Sequence, residues 1–422
     1  MNRLVYSAAH LGYDTSRVPV GGGARVALEL IRRWAGAIPL TVLGSGPDFP
    51  PHAEVSYHVI PWRVPSEKRH VTELSVREYA SFSRQFERGV TDYLAGIDPE
   101  GVVVLHNDIA EAGDFAAIRR LGFSQAAIFH VDVVDYVANI YLRGLVPAPA
   151  LARAWRLVSR VGLAKVLPDI ARLMFGKQEA CARHCQLLVV PSGGMKEVLL
   201  SSYPWLPEER VLVVPWGAVV GRRPSEGELA ELRARYGIRP GEPVIVTLSR
   251  ISPEKGQDLL LRALAIWERR ERSPLTVFIC GEAAFMHGAR YLARLRRLAR
   301  RLRRVRVFFP GYVAGPEKAA FLGIADLYVF PSRHESYGLT MLEAMAAGLP
   351  VLTTPHRSAR DLVRSEFGRI VPATPRGIYQ GLSELLSDPG RLPEMGKAAR
   401  DFALAISFDR AAARLAEVLF SL

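Results

Sequence analysis

The stretch FPSRHESYGLTMLEAMAAGLPVL, residues 330–352, changes its periodicity twice within a few residues. It opens on the end of an apolar run, 327–330, closed by Pro331 and Ser332. After a polar segment, Gly338 introduces a helical pattern over 339–347 that Gly348 and Pro350 stop. Strand, loop, helix and glycine stop, in that order, predict the carboxyl end of a strand in an α/β sheet, where ligands bind. Backbone N–H groups of Ser336, Tyr337, Gly338, Leu339 and Thr340 lie around the helix start, where an anion gains about 0.3–1 kcal/mol or more. Two carboxylates flank it, Glu335 in the loop and Glu343 on the first turns of the helix. A phosphate bracketed by two acids suits a ligand with hydroxyls on both sides of it, as in a nucleotide sugar.

The string PSRHESYGLTMLEAMAAGLPV resembles the signature of the retaining glycosyltransferases of family four, and Glu335 and Glu343 meet its E-x7-E spacing. The resemblance implies that Glu335 holds the sugar, Glu343 the ribose hydroxyls and the loop amides the diphosphate. Without it, the segment reads as a buried strand–helix connection with two incidental acids. A second string, SRISPEKG, follows an apolar strand over 244–248 and places Arg250 and Lys255 at its carboxyl end. A planar guanidinium fork and a point charge can meet a diphosphate there. The string resembles the family's R-x4-K-G element, whose cations stabilise the leaving phosphates. Further on, Gly281 resembles the family's glycine turn near the phosphates, and Val313 lies where the family's backbone meets the nucleotide base.

A chain of 422 residues exceeds one ordinary core and predicts two domains. The expected division is 1–218, joined by a crossover helix at 401–422, and 219–400. Three cysteines, Cys181, Cys185 and Cys280, are too few for a disulfide framework and point to a reducing, cytoplasmic setting. Cys181 and Cys185 with His184 lack a second ligand pair and read as helix packing rather than a metal site. No apolar run reaches the roughly 18 residues of a spanning helix. The net charge of +13 is lopsided, with 23 Lys+Arg against 21 acids in 1–217 and 32 against 21 beyond. Much of the excess lies in RYLARLRRLARRLRRVR, 290–306, which reads as an amphipathic helix with an arginine face. Such a helix can touch anionic lipid, so peripheral membrane contact is one expectation; a solvated basic face is the other. No nucleic-acid module accompanies it, and nucleic acid is not an expected partner. The basic and apolar residues of 147–185 leave the same two readings open.

The first half shows the same alternation. A strand over 3–9 leads through a loop, 10–20, to Gly21-Gly22-Gly23 and a helix over 24–34. Glycines there let the backbone approach a ligand. The family resemblance places Gly22 and Gly23 beside the donor diphosphate. The strand 102–105 ends in His106-Asn107-Asp108, and 126–129 ends in His130-Val131-Asp132. IFHVD resembles the family strand whose terminal histidine contacts the transferring sugar, making His130 the leading site residue of this half. His106, Asp108 and Asp132 are candidates to orient the acceptor. Pro215-Trp216-Gly217 departs from the family, which has Asn where Trp216 stands. Neither a G-x-G-x-x-G nor a D-x-D motif occurs at these strand ends.

These features imply two doubly wound, Rossmann-like α/β domains facing across a cleft, the GT-B architecture. The implied activity is retaining transfer of a hexose from a nucleoside-diphosphate sugar to an acceptor hydroxyl on a sugar, glycolipid or small molecule. No metal or cofactor is expected beyond the nucleotide-sugar co-substrate. The alternatives are another GT-B enzyme, such as a phosphorylase or sugar-nucleotide epimerase, and a non-catalytic sugar-nucleotide- or nucleic-acid-binding protein.

Overall fold

Short strands with apolar residues on both faces can be buried only in a parallel sheet covered by helices on each side. The computed structural model describes residues 3–14, 21–47, 50–64, 70–71, 74–283 and 288–422, so part of the 10–20 loop lies outside the described residues. Among these residues the chain forms two units, Met1–Trp216 with Phe408–Leu422, and Gly217–Ser407. The expected crossover began at 401, but the helix Leu392–Ala405 stays with the second unit. Only Phe408–Leu419 returns to the first.

The first unit contains β1 (Arg3–Ser7), β2 (Leu40–Gly44), β3 (Ser56–Val59), β4 (Val102–His106), β5 (Ser124–Ile128), β6 (Leu187–Val190) and β7 (Val211–Val213). All pair in parallel in the order β3-β2-β1-β4-β5-β6-β7. The strand order reverses direction between β1 and β4, which is where open α/β sheets open a crevice at their carboxyl ends. The returning helix packs on the helix Gly22–Trp34, with the Trp34 indole N–H donating to the Ala412 carbonyl at 3.1 Å and Arg33 paired with Asp409. Trp216 is fully buried and stacks on Phe408 with ring centroids 6.4 Å apart. The residue that departs from the family pattern therefore serves the core.

The second unit contains β8 (Val244–Leu248), β9 (Leu275–Cys280), β10 (Val305–Gly311), β11 (Leu327–Phe330), β12 (Val351–Thr353) and β13 (Gly368–Ile370). Their parallel order is β10-β9-β8-β11-β12-β13. Here the reversal falls between β8 and β11, whose register sets Leu327 beside Ile245 and Tyr328 beside Val246. One face of the sheet is covered by Leu260 and Leu264 of the helix Gln257–Arg270 and by Ile378, Leu382 and Leu385 of the helix Pro375–Leu386.

The expected basic helix over 290–306 is shorter. A helix spans Gly288–Ala299, with Tyr291 and Leu295 buried, and the chain then turns into β10. The last arginines are not part of its face. The backbone N–H groups of Arg303 and Arg304 donate to Glu268, and Arg306 pairs with buried Glu242 at 2.8 Å.

Candidate functional site

Because β8 and β11 are neighbours at the reversal, the loops after them lie side by side although about 80 residues separate them in sequence. Hydrogen bonds and one close backbone crossing hold them together. Arg333 donates to both oxygens of Asp258, at 2.8 and 3.0 Å, and its backbone N–H donates to the Glu254 carbonyl at 2.7 Å. Ser332 Oγ lies 3.3 Å from the same carbonyl. Gly256 has φ +66°, and a Cβ there would fall 2.0 Å from the Pro331 carbonyl oxygen. Backbone passes backbone at this point, so no larger residue fits. Gly256→Ala is expected to destabilise the chain by about 2 kcal/mol or more, read as a lower denaturant midpoint at an unchanged slope.

This junction brings Lys255 and Glu335 together. Their Nζ–Oε2 distance is 2.5 Å, and the two side chains are only 11% and 18% exposed. Burial alone would raise the Glu335 carboxyl, but Lys255, with His356 and His334, holds it down to about 2. Next to the pair the helix Leu339–Ala346 begins at Gly338, whose φ of +89° makes the turn that aims the first free N–H groups outward. Tyr337 and Ser336 are buried in the same turn, and the Thr340 hydroxyl lies 3.0 Å from the Tyr328 hydroxyl. On the far side of this helix start, Glu343 pairs with Lys318 at 3.0 Å. Arg250 follows β8, and its carbonyl accepts from the Gln257 side chain at 2.8 Å. Gly281, with φ +146°, donates its N–H to the Gly311 carbonyl at 2.7 Å, and Val313 is buried just beyond β10. All the candidates of the second unit thus sit on the loops after β8, β9, β10 and β11 or on the helix that follows β11.

Lys318 and His356 were not anticipated. No motif marks Lys318; it reaches Glu343 from the helix Gly315–Ile324. His356 lies at hydrogen-bond distance from Thr353 and Ser358, and burial pushes its imidazole down to about 4, against the pull of Glu335. A histidine kept neutral in the fold but protonated when unfolded gives no stability change above pH about 6.5. It lowers stability as pH falls from there to about 4. Glu335 acts lower, its stabilisation being lost as pH falls from about 4.5 through about 2. In paired urea titrations, His356→Gln should therefore flatten the decline between pH about 6.5 and 4, by up to about 3 kcal/mol.

In the first unit, His130 at the end of β5 has Nε2 3.2 Å from Asn107 Oδ1. Burial pushes the ring down to about 4, so it is neutral at pH 7. Asn107 also accepts from the Tyr6 hydroxyl at 2.6 Å and donates to the Gly23 carbonyl at 3.2 Å. It thereby ties His130 to the glycine loop, and a Cβ on Gly23 would lie 2.8 Å from the His130 ring. Gly22 opens the helix and is exposed. Asp108 is part-buried and accepts from the Ala110 N–H at 2.9 Å; burial and the neighbouring Glu111 carboxylate raise its carboxyl. Glu111 pairs with His10 at 3.1 Å and accepts from Tyr79 at 2.7 Å.

Two expected site residues take structural places instead. His106 is fully buried and packs edge-on against Phe115, and burial pushes it down to about 3. Its last position on β4 points its side chain into the helix layer. Asp132 is 2% exposed and caps the helix Val133–Tyr136 by accepting from the Asp135 N–H at 2.8 Å. Cys181 and Cys185 are core residues with sulfurs 3.7 Å apart.

Comparison with known proteins bears on these loops. The family model described as glycosyl transferases group 1 matches residues 229–402. A D-inositol 3-phosphate glycosyltransferase of Thermobispora bispora is 35% identical over 437 aligned positions, covering 99% of this chain and 94% of that protein. A GDP-mannose-dependent alpha-(1-6)-phosphatidylinositol monomannoside mannosyltransferase of Mycolicibacterium smegmatis is 36% identical over 207 residues. That match covers 46% of this chain, which spans about half (52%) of that relative's length. Among solved structures, Anabaena HepE in complex with UDP and glucose superposes with a TM-score of 0.70 at 17% identity, covering 100% of both chains. WaaG, a glycosyltransferase involved in lipopolysaccharide biosynthesis, does so with 0.69 at 17% identity, covering 99% of both. The two doubly wound units have the GT-B fold, and the chain belongs to the group 1 glycosyltransferases.

Proposed function

We propose that the chain transfers a hexose from a nucleoside-diphosphate sugar to an acceptor hydroxyl, with retention of configuration and without a metal ion. The observation that carries this reading is the Lys255–Glu335 pair beside the Gly338 helix start. An ionised carboxylate accepts hydrogen bonds from sugar hydroxyls, while the cation and the helix amides meet the diphosphate. Arg250 and Lys255 take up negative charge as the bond from the anomeric carbon to the diphosphate oxygen breaks, a preorganised stabilisation that usually dominates such steps. The acceptor oxygen bonds to the same face of that carbon and its proton passes to the departing phosphate oxygen, so atoms and charge balance. Glu343 receives the ribose hydroxyls, releasing Lys318, and Val313 and Gly281 contribute backbone to the nucleotide. In the first unit, His130 with Gly22 and Gly23 contributes substrate contacts, and Asp108 with Glu111 orients an acceptor.

The names of the two curated relatives supply the first substrates to assay: GDP-mannose as donor, and an inositol phosphate or a phosphatidylinositol mannoside as acceptor. The test is release of nucleoside diphosphate on adding acceptor in the presence of EDTA, with the product's anomeric configuration read by NMR. Release with retained configuration supports the reading. An inverted product, release that requires added metal, or turnover only with inorganic phosphate in place of an acceptor would each replace part of it.

A further inference from the structure

We propose that residues 141–167 of the first unit form a docking surface for an anionic lipid bilayer. From 136 to 168 the chain holds no acid, and Arg143, Arg153, Arg160 and Lys165 are exposed. Sixteen large apolar side chains are exposed among the described residues, and seven of them fall within 141–167. Six, namely Tyr141, Leu145, Leu157, Val161, Leu163 and Val166, are 56–85% exposed, far beyond the isolated apolar residues of an ordinary surface.

Helix geometry puts Leu157 and Val161 on one side. In the helix Ala148–Arg160 the inward face carries Ala148, Ala152 and Trp155, which pack with Phe175 and Val198. At 100° per residue, Ala150, Ala154, Leu157 and Val161 form the opposite stripe, with Arg153 and Arg160 along one edge of it. The following short helix, Leu163–Val166, adds Leu163, Lys165 and Val166, with none of its residues buried. An apolar stripe bordered by cations matches a bilayer surface, where apolar groups enter the acyl boundary and cations meet lipid phosphates. No helix among the described residues is long and apolar enough to cross a membrane, so the contact is one of lying on the surface.

The arginine-rich helix Gly288–Ala299 makes the contrast. Its apolar residues Tyr291 and Leu295 are buried and Leu292 and Leu298 pack against the same core, leaving a charged outer face with no apolar stripe. Charge without exposed apolar surface does not distinguish lipid from water; the segment 141–167 offers both.

The test is sedimentation of the full chain with vesicles of phosphatidylcholine alone or mixed with phosphatidylglycerol, with no substrate present, so its outcome is independent of the transfer reaction. The wild type should bind the mixed vesicles and release them as salt is raised. Leu157→Ser, Val161→Ser and Val166→Ser together should abolish binding, with an unchanged thermal midpoint since these side chains are exposed. Arg153→Gln, Arg160→Gln and Lys165→Gln together should weaken it on the order of a hundredfold. The proposal is overturned if the wild type binds neither vesicle, binds both equally, or binds as well in the variants. It is also overturned if the Ser variant converts an oligomer to a monomer while vesicle binding is absent, since the surface then belongs to a second copy.

Discussion

Lys255→Ala is expected to lower turnover by about three orders of magnitude while the chain stays folded. Removing one preorganised donor to a developing oxyanion costs about a hundred- to a thousandfold. Here the same change also strands Glu335, which is only 18% exposed and is held at about 2 mainly by that ammonium group against its burial. Without Lys255 burial raises the carboxyl, against the remaining pull of His356 and His334. Losing one partner of a buried pair also destabilises, by about 3 kcal/mol. The double variant Lys255→Ala, Glu335→Gln separates the effects, because it leaves no unpaired charge. It should recover most of the stability and none of the turnover. Glu335→Ala alone should match the loss in turnover. Steady-state kinetics beside denaturant titrations check all three, and near-normal turnover in either single variant would remove that residue from the mechanism.

Glu343→Gln should weaken donor binding about ten- to a hundredfold with a much smaller change in kcat. The carboxylate is 9% exposed and its partner Lys318 comes from another helix, so in the proposed reading binding a ribose would exchange one charge-assisted contact for two hydroxyl contacts. The effect should depend on those hydroxyls. A 2′-deoxyribose donor should bind the wild type poorly and lose little further in the variant. That non-additivity is what a direct contact produces. Full additivity would mean that Glu343 acts elsewhere. Lys318→Met should go the other way and favour donor binding, because the carboxylate is no longer occupied.

Much of this architecture was legible in the sequence because parallel strands are apolar on both faces and glycines end their helices. Val244–Leu248 has the bounds its apolar run predicts. Gly338 marks the helix start through a φ of +89° that few other residues tolerate. What local pattern does not carry is strand order. Lys255 meets Glu335 because β8 and β11 are neighbours in the sheet, and without the motif resemblance nothing in either string names the other. Side-chain direction at a strand end is equally hidden. His106 and His130 both close apolar strands, yet one packs on Phe115 and the other meets Asn107 beside the glycine loop. The arginine run 290–306 misled for a related reason. Its leucines keep a helical spacing up to Leu302, but β9 needs an edge partner and draws Val305 and Arg306 into β10. Asn107, with three contacts, and Lys318, with one, have no repeat or spacing to announce them.

The central claim is that the loops after β8 and β11 hold a nucleoside-diphosphate sugar. Calorimetric titration of the full chain with GDP-, UDP- and ADP-sugars tests it most directly. One nucleotide class should bind with Kd between about 1 μM and 1 mM, and its affinity should fall in both Lys255→Ala and Glu343→Gln. Heat of binding from none of the three, or binding that both variants leave unchanged, would contradict it.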